Sequence, residues 1–116
     1  MTDQAIEQEI QAKGLTAPRI TPADIEANIR SAHYFTATEG LVGQTRGPEW
    51  QATPACLDLL TFCVLVLQNG FTVTGESACA SPENFDAELG RKIARRNAEA
   101  KIWPLLGYEL RSKLSV

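Results

Sequence analysis

A chain of 116 residues is long enough for one domain with a modest core, and its 44% apolar and 22% charged composition is ordinary for a globular protein. The formal net charge of −3 argues against a general duplex-DNA binder, and the longest apolar stretch, Leu59 to Leu67, is far too short for a membrane span. Charge is uneven: residues 1–50 carry four Lys or Arg against seven Asp or Glu, whereas residues 51–116 carry seven of each, with Arg91, Lys92, Arg95 and Arg96 crowded together.

The N-terminus, Met1-Thr2-Asp3-Gln4, has neither the basic region nor the apolar core of a secretory signal, so a cytosolic protein is expected. Residues 3–13 read as a helix, with Asp3 as its cap, a short apolar stripe of Ala5, Ile6 and Ile10, and Gly14 as its stop. Residues 15–20, with Pro18, read as a linker. Thr21-Pro22-Ala23-Asp24 then supplies a cap, a first-turn proline and an acidic third position. The spacing predicts a helix over about 22–33 that turns Ile25, Ile29 and Ala32 or His33 inward. Residues 36–53 hold Gly40, Gly43, Gly47 and Pro48 and read as a loop, mobile or ordered by a partner. Trp50 within it is either a plug on the core or an anchor at a subunit contact.

Leu59 to Gln68 is apolar on both alternating faces and reads as a central strand, with a buried helix from Thr53-Pro54 competing for its first turn. Asn69-Gly70 signals a hairpin of type I′, whose two central residues both need positive φ. The returning strand alternates, Phe71 and Val73 on one side, Thr72 and Thr74 on the other, and Gly75 ends or bulges it. Ser81 reads as the cap of the next helix, with Pro82 at its first position. Phe85, Leu89 and Ile93 form its core stripe; Asn84, Glu88, Arg91 and Arg95 lie opposite, and Pro104 closes it. The expected class is α+β in one domain over 1–116: an antiparallel sheet around a hairpin at about 60–75, packed on a helix at about 82–103 and an N-terminal helix at about 22–33.

Catalytic sets are hard to assemble. Cys56, Cys63 and Cys79 contain no Cys-x-x-Cys pair, and with His33 as the lone histidine they make a structural zinc site a poor reading; reduced, buried thiols fit better. Glu76 and Glu83 are more simply surface and cap residues than an acid–base pair, so no enzyme and no cofactor is expected. An anion site has more support. Gly75, Glu76 and Ser77 precede the helix start expected at Ser81, where free amides favour a phosphate, although no Walker loop and no Gly-x-Gly-x-x-Gly is present. Asn84 can read a base edge, Arg91 and Arg95 can clamp phosphate with a planar fork, and Phe71 and Phe85 can stack on a nucleobase. The bland readings are a turn glycine, a cap, a solvated basic flank and core aromatics. The candidate ligand-binding set is Phe71, Glu76, Ser77, Ser81, Asn84, Phe85, Arg91 and Arg95.

The stretch Thr61-Phe62-Cys63-Val64-Leu65, Asn69 to Cys79, Pro82-Glu83-Asn84-Phe85-Asp86, Gly90-Arg91-Lys92-Ile93-Ala94, Lys101 to Leu105 and Gly107-Tyr108, with Ile20-Thr21-Pro22 and His33-Tyr34-Phe35, resembles a family of small tailed-phage and prophage proteins that includes the Thoeris anti-defence protein one sponges. The resemblance implies a protein that captures cyclic ADP-ribose isomers without cleaving them, in the cytoplasm of the infected bacterium. It further implies homodimers or higher homo-oligomers with ligand near the subunit junction and, in some members, a separate site for the cyclic oligonucleotides of the CBASS defence pathway. Two other readings compete. One is an inhibitor that grips a host protein through residues 36–53 and Trp50; the other is single-strand binding along the basic helix.

Overall fold

The strand-forming run Leu60–Leu67 sets the centre of the molecule. In the computed structural model, which describes residues 2–44 and 53–116, these residues form β2, the middle strand of a three-stranded antiparallel sheet. β1 (Ile29–Thr36) and β3 (Thr72–Ala78) flank it in the order β1-β2-β3. Side chains alternate across the pleat, so Thr61, Cys63, Leu65 and Leu67 are buried on one face while Phe62, Val64 and Val66 are half-buried on the other. The helices are α1 (Asp3–Ala12), α2 (Pro22–Ala27), α3 (Ala37–Gln44), α4 (Ala87–Ala100) and α5 (Ile102–Leu114), with 3₁₀ turns at Ala55–Leu59 and Pro82–Asn84. α4 lies along β3 and β2, and Ile25, Leu65, Val73, Ala94, Ala98 and Ile102 meet in the core beneath it. The α+β class expected from the sequence is the class observed.

The hairpin forms where the sequence places it, with a different turn. Gly70 alone has positive φ, +88°, and Asn69 does not share it. Gly70 N donates to Leu67 O at 2.9 Å and Leu67 N to Phe71 O at 2.8 Å, the pattern of a three-residue loop with glycine at the left-handed position of a bulge. Asn69 serves through its side chain instead, its Oδ1 accepting from Phe71 N at 2.9 Å.

Three expected boundaries move. The helix anticipated over 22–33 stops at Ala27, and Ile29–Thr36 is a strand. Thr21 and Asp24 do form the reciprocal cap, at 2.9 and 3.2 Å. The helical spacing of Ile29 and Ala32 is produced by a register shift between Ile29 and Ser31: one extra residue lets two positions three apart share the core face of a strand. The loop anticipated over 36–53 begins with a helix, α3, capped by Thr36 and Glu39, Glu39 N to Thr36 Oγ1 at 3.2 Å and Thr36 N to Glu39 Oε1 at 2.9 Å. Trp50 lies outside the described residues. Finally, the helix anticipated over 82–103 begins five residues later. Ser81 makes no side-chain cap, and Asp86 caps α4 through Leu89 N at 3.0 Å. Pro104 does not close it but sits in the first turn of α5, where an amide hydrogen would have no helical partner.

The face of α4 that meets the sheet is also not the expected one. Gly90, Ala94 and Ala98 are its buried residues, while Leu89 and Ile93 are 53% and 42% exposed. Small residues win because the helix backbone rides directly over Gly75 of β3. A Cβ there would run into Ala94 O and Ala98 N and stand 2.9 Å from Ala98 Cα. Backbone on both sides cannot yield, so Gly75→Ala should cost about 3 kcal/mol or more in urea or thermal unfolding. Gly43→Ala, a helical position with nothing within 4 Å, should be neutral or stabilising by up to about 1 kcal/mol, and equal losses at both sites would refute the seam.

An ion pair ties α1 to the segment that follows it. The cap of α1 is Thr2, whose Oγ1 accepts from Ala5 N at 3.1 Å, rather than the expected Asp3, and Gly14, at φ +67°, ends it. No residue of α1 is buried; Arg19 grips Glu7 with both terminal nitrogens, Nη2 to Oε2 at 2.7 Å. Hydrogen bonds from Arg19 and then Gln11 lower the Glu7 carboxyl to about 2. Because the folded value lies below the usual 4.5, the clamp is at full strength above that pH and is lost as pH falls towards about 2. Hydrogen exchange of the α1 amides should therefore accelerate between about pH 4.5 and 2, once corrected for intrinsic rates, and Arg19→Gln should remove that step.

Candidate functional site

The turn from β3 through Pro82–Asn84 into α4 carries Phe85 back under the start of the helix. Its ring is half-buried near Gly90, where a Cβ would come within 3.8 Å of Phe85 Cε2. Two small cavities lie on either side of this ring. One, about 120 Å³, is lined by Tyr34, Phe35, Thr36, Glu39, Thr61, Phe85 and Arg91 among others. The other, about 130 Å³, is lined by Ser77, Cys79, Asn84, Phe85, Leu89 and Ile93 among others. Phe85 thus joins a corner of aromatic rings, threonines and a guanidinium to one that holds a serine and an amide.

Four of the eight sequence-derived residues come together here: Ser77, Asn84, Phe85 and Arg91. Ser77 faces α4 opposite Thr61, and Asn84 is exposed at the end of its 3₁₀ turn. Arg91 is exposed and has no ion-pair partner among the described residues, so its guanidinium is available. Arg95, one turn on, is committed elsewhere. It meets Glu99 at 2.7 Å and Glu26 at 2.9 Å and lies 3.5 Å from Tyr34 Oη, tying α4 to α2 and β1. These partners, Tyr34 and then Glu99 foremost, raise its pKa further. Arg95 holds Tyr34 beside the first cavity without lining it.

The other three are placed apart. Phe71 is 58% exposed beside the hairpin turn, separated from Phe85 by the length of β3, about 20 Å. Glu76 points to the sheet face away from α4, opposite Phe62, although its carbonyl accepts from Asn97 Nδ2 at 2.8 Å. Ser81 Oγ donates to Glu83 at 2.6 Å, which lowers the Glu83 pKa, and Ser81 O accepts from Asn84 N. The anion site expected at a Ser81 helix start is not formed. Ser81 opens only a single 3₁₀ turn, and the amides of α4 already face the Asp86 carboxylate.

Tyr34, Thr36 and Thr61 were missing from the sequence-derived set. Thr36-x-x-Glu39 is a capping-box signature that points to α3, and hence to the chain turning at the cavity. Nothing local marks Thr61, a 3%-exposed threonine in an apolar strand, as part of a site; the chain brings it there only by pairing β2 with β1 and β3.

A larger concavity, about 940 Å³, lies between α1, α2 and Trp103, where Asp3, Glu7, Glu26 and Glu99 make it unfavourable to phosphate. His33 stands on the sheet face away from α4, 3.0 Å from Ser31 Oγ. Among the described residues no group of three or more His, Cys, Asp or Glu is placed to hold a metal ion, and no helix is long and apolar enough to cross a membrane.

The structure is a small α+β scaffold with a polar and aromatic corner at the foot of one helix. The chain belongs to the phage protein family described as N4 Gp49/phage Sf6 gene 66, whose model matches residues 20–114. No curated protein and no solved structure matches it. Membership of a small phage protein family, as the resemblance in the sequence implied, is thereby shown.

The two arginines separate by role. Arg95→Ala should lower unfolding stability by about 1–2 kcal/mol, because it removes a half-buried hub of charge-assisted hydrogen bonds. Arg91→Ala should stay within about 0.5 kcal/mol of the parent in the same urea titration.

Proposed function

We propose that this phage protein is a signal sponge. It binds a cyclic ADP-ribose-type nucleotide in the cytoplasm of the infected host and keeps it uncleaved, so that Thoeris immunity is not triggered; cyclic oligonucleotides are a further ligand class. The observation that carries this reading is the Arg91 guanidinium, without an ion-pair partner among the described residues, beside Phe85 and Tyr34, with the Ser77 hydroxyl and Asn84 amide across the Phe85 ring. A guanidinium can meet a pyrophosphate, a ring can stack on adenine, and an amide can read its edge.

Capture also suits the chemistry of the corner. Its guanidinium, hydroxyls and amide donate hydrogen bonds and its rings stack, alongside the Glu39 and Asp86 carboxylates, and the one histidine stands on the opposite side of the sheet. Each cavity is smaller than the roughly 300–1,000 Å³ of an ordinary small-molecule site. In this reading a second copy of the chain completes the enclosure.

Incubation with a cyclic ADP-ribose isomer should raise the melting temperature of the purified protein, and heat release followed by mass spectrometry should return the ligand intact. A hydrolysed product would identify an enzyme and end the proposal. Arg91→Ala should weaken binding about 10–100-fold, the loss expected for one charge-assisted contact. A second reading has one observation in its favour: Leu41 and Val42 are exposed on α3, a surface for gripping a host protein. It requires a host protein to be pulled down through α3 and leaves the melting temperature unmoved by nucleotide.

A further inference from the structure

Two apolar walls face each other across a gap between α1 and the core. Ile6 and Ile10 of α1 form one wall; Ile20 and Trp103, which pack on the rim of the core, form the other. Between them lies a notch of about 270 Å³, completed by Pro22. α1 buries none of its residues and Ile6 is 42% exposed, so the helix has not closed onto the tryptophan. Arg19, next in sequence to Ile20, grips Glu7 of α1 and sets the spacing of the walls. Water in such a notch finds few hydrogen-bonding partners, and an apolar group that displaces it is favoured.

The notch shares Asp3, Glu7, Pro22 and Trp103 with the cleft of about 940 Å³ beside it. Among the described residues four carboxylates line that cleft, Asp3, Glu7, Glu26 and Glu99, and no lysine or arginine does. Arg19 offsets Glu7, and one guanidinium, that of Arg95, is shared by Glu26 and Glu99. Four negative charges thus meet two positive ones, which leaves an excess of two beside an apolar notch with an indole in its wall.

We propose that this cleft binds a small organic cation with an apolar body, an aryl- or alkyl-ammonium ion. Charge complementarity chooses that occupant: an anion is repelled, and a neutral apolar molecule leaves the excess charge unanswered. The ring or chain fills the notch against Ile6, Ile10 and Ile20. The ammonium gains from the face of Trp103 and donates to the carboxylates of Asp3, Glu26 and Glu99. The cleft shares no lining residue with the corner around Phe85, so this site stands independently of the nucleotide reading.

The test uses the full chain, with 2-phenylethylammonium as the probe. Its two tryptophans give two indole N–H resonances, which Trp103→Phe assigns. The Trp103 resonance should shift saturably, with a dissociation constant below about 1 mM. The uncharged 2-phenylethanol should bind about tenfold more weakly, and the anion 3-phenylpropionate should leave the resonance in place. Asp3→Asn, at a helix that buries nothing, should weaken the ammonium about threefold or more while circular dichroism stays unchanged. A Trp103 resonance unmoved at about 10 mM ammonium overturns the proposal. So does equal binding of the alcohol, or an Asp3→Asn chain that binds the ammonium as tightly as the parent. The comparison of the three probes needs only the unaltered chain, so it decides the matter even if a variant fails to fold.

Discussion

The close passage of α4 over β3 is the constraint on which the rest depends. Glycine at position 75 and alanines at 94 and 98 let a helix backbone approach a strand backbone to contact distance, which larger side chains on either element would prevent. That approach fixes the rotation of α4. Once Gly90, Ala94 and Ala98 face down, Arg91 and Arg95 must face the β1 side, and Leu89 and Ile93 must face outward along β3. The placement of every functional candidate on this helix follows from where the small residues sit.

The same rotation divides two arginines that look equivalent in the sequence. A one-turn step along α4 carries Arg95 to Glu26, Glu99 and Tyr34, where it holds three elements together. Arg91 emerges over the cavity at the sheet end, without an ion-pair partner among the described residues. The division of labour is economical: the structural arginine orients Tyr34, and Tyr34 walls the corner into which the other arginine reaches. That corner is joined to a second small cavity through Phe85, and neither encloses more than about 130 Å³.

Errors in reading the sequence share a cause. Ile29 and Ala32 mimic a helix because a strand irregularity puts residues three apart on one face. Leu89 and Ile93 mimic a core stripe because hydrophobicity alone cannot reveal that backbone proximity, and hence smallness, governs the seam. Pro104 looks like a stop because proline is equally at home after one helix and inside the first turn of the next. Thr36 and Glu39 carried a legible helix start that the neighbouring glycines obscured.

Local chemistry in the sequence determined the Thr21-Pro22 helix start, the hairpin between β2 and β3, and β2 as a central apolar strand. Those features depend on interactions within a few residues, or on a period, and both are written in the order of the chain. Tertiary structure alone decided that Phe71 stands a strand's length from Phe85, that Arg95 is spent on Glu26 and Glu99, and that Tyr34 and Thr61 share a wall with Arg91. Each of those facts is a contact, or a lack of one, between segments far apart in sequence, and only the packing of α4 on the sheet sets such distances.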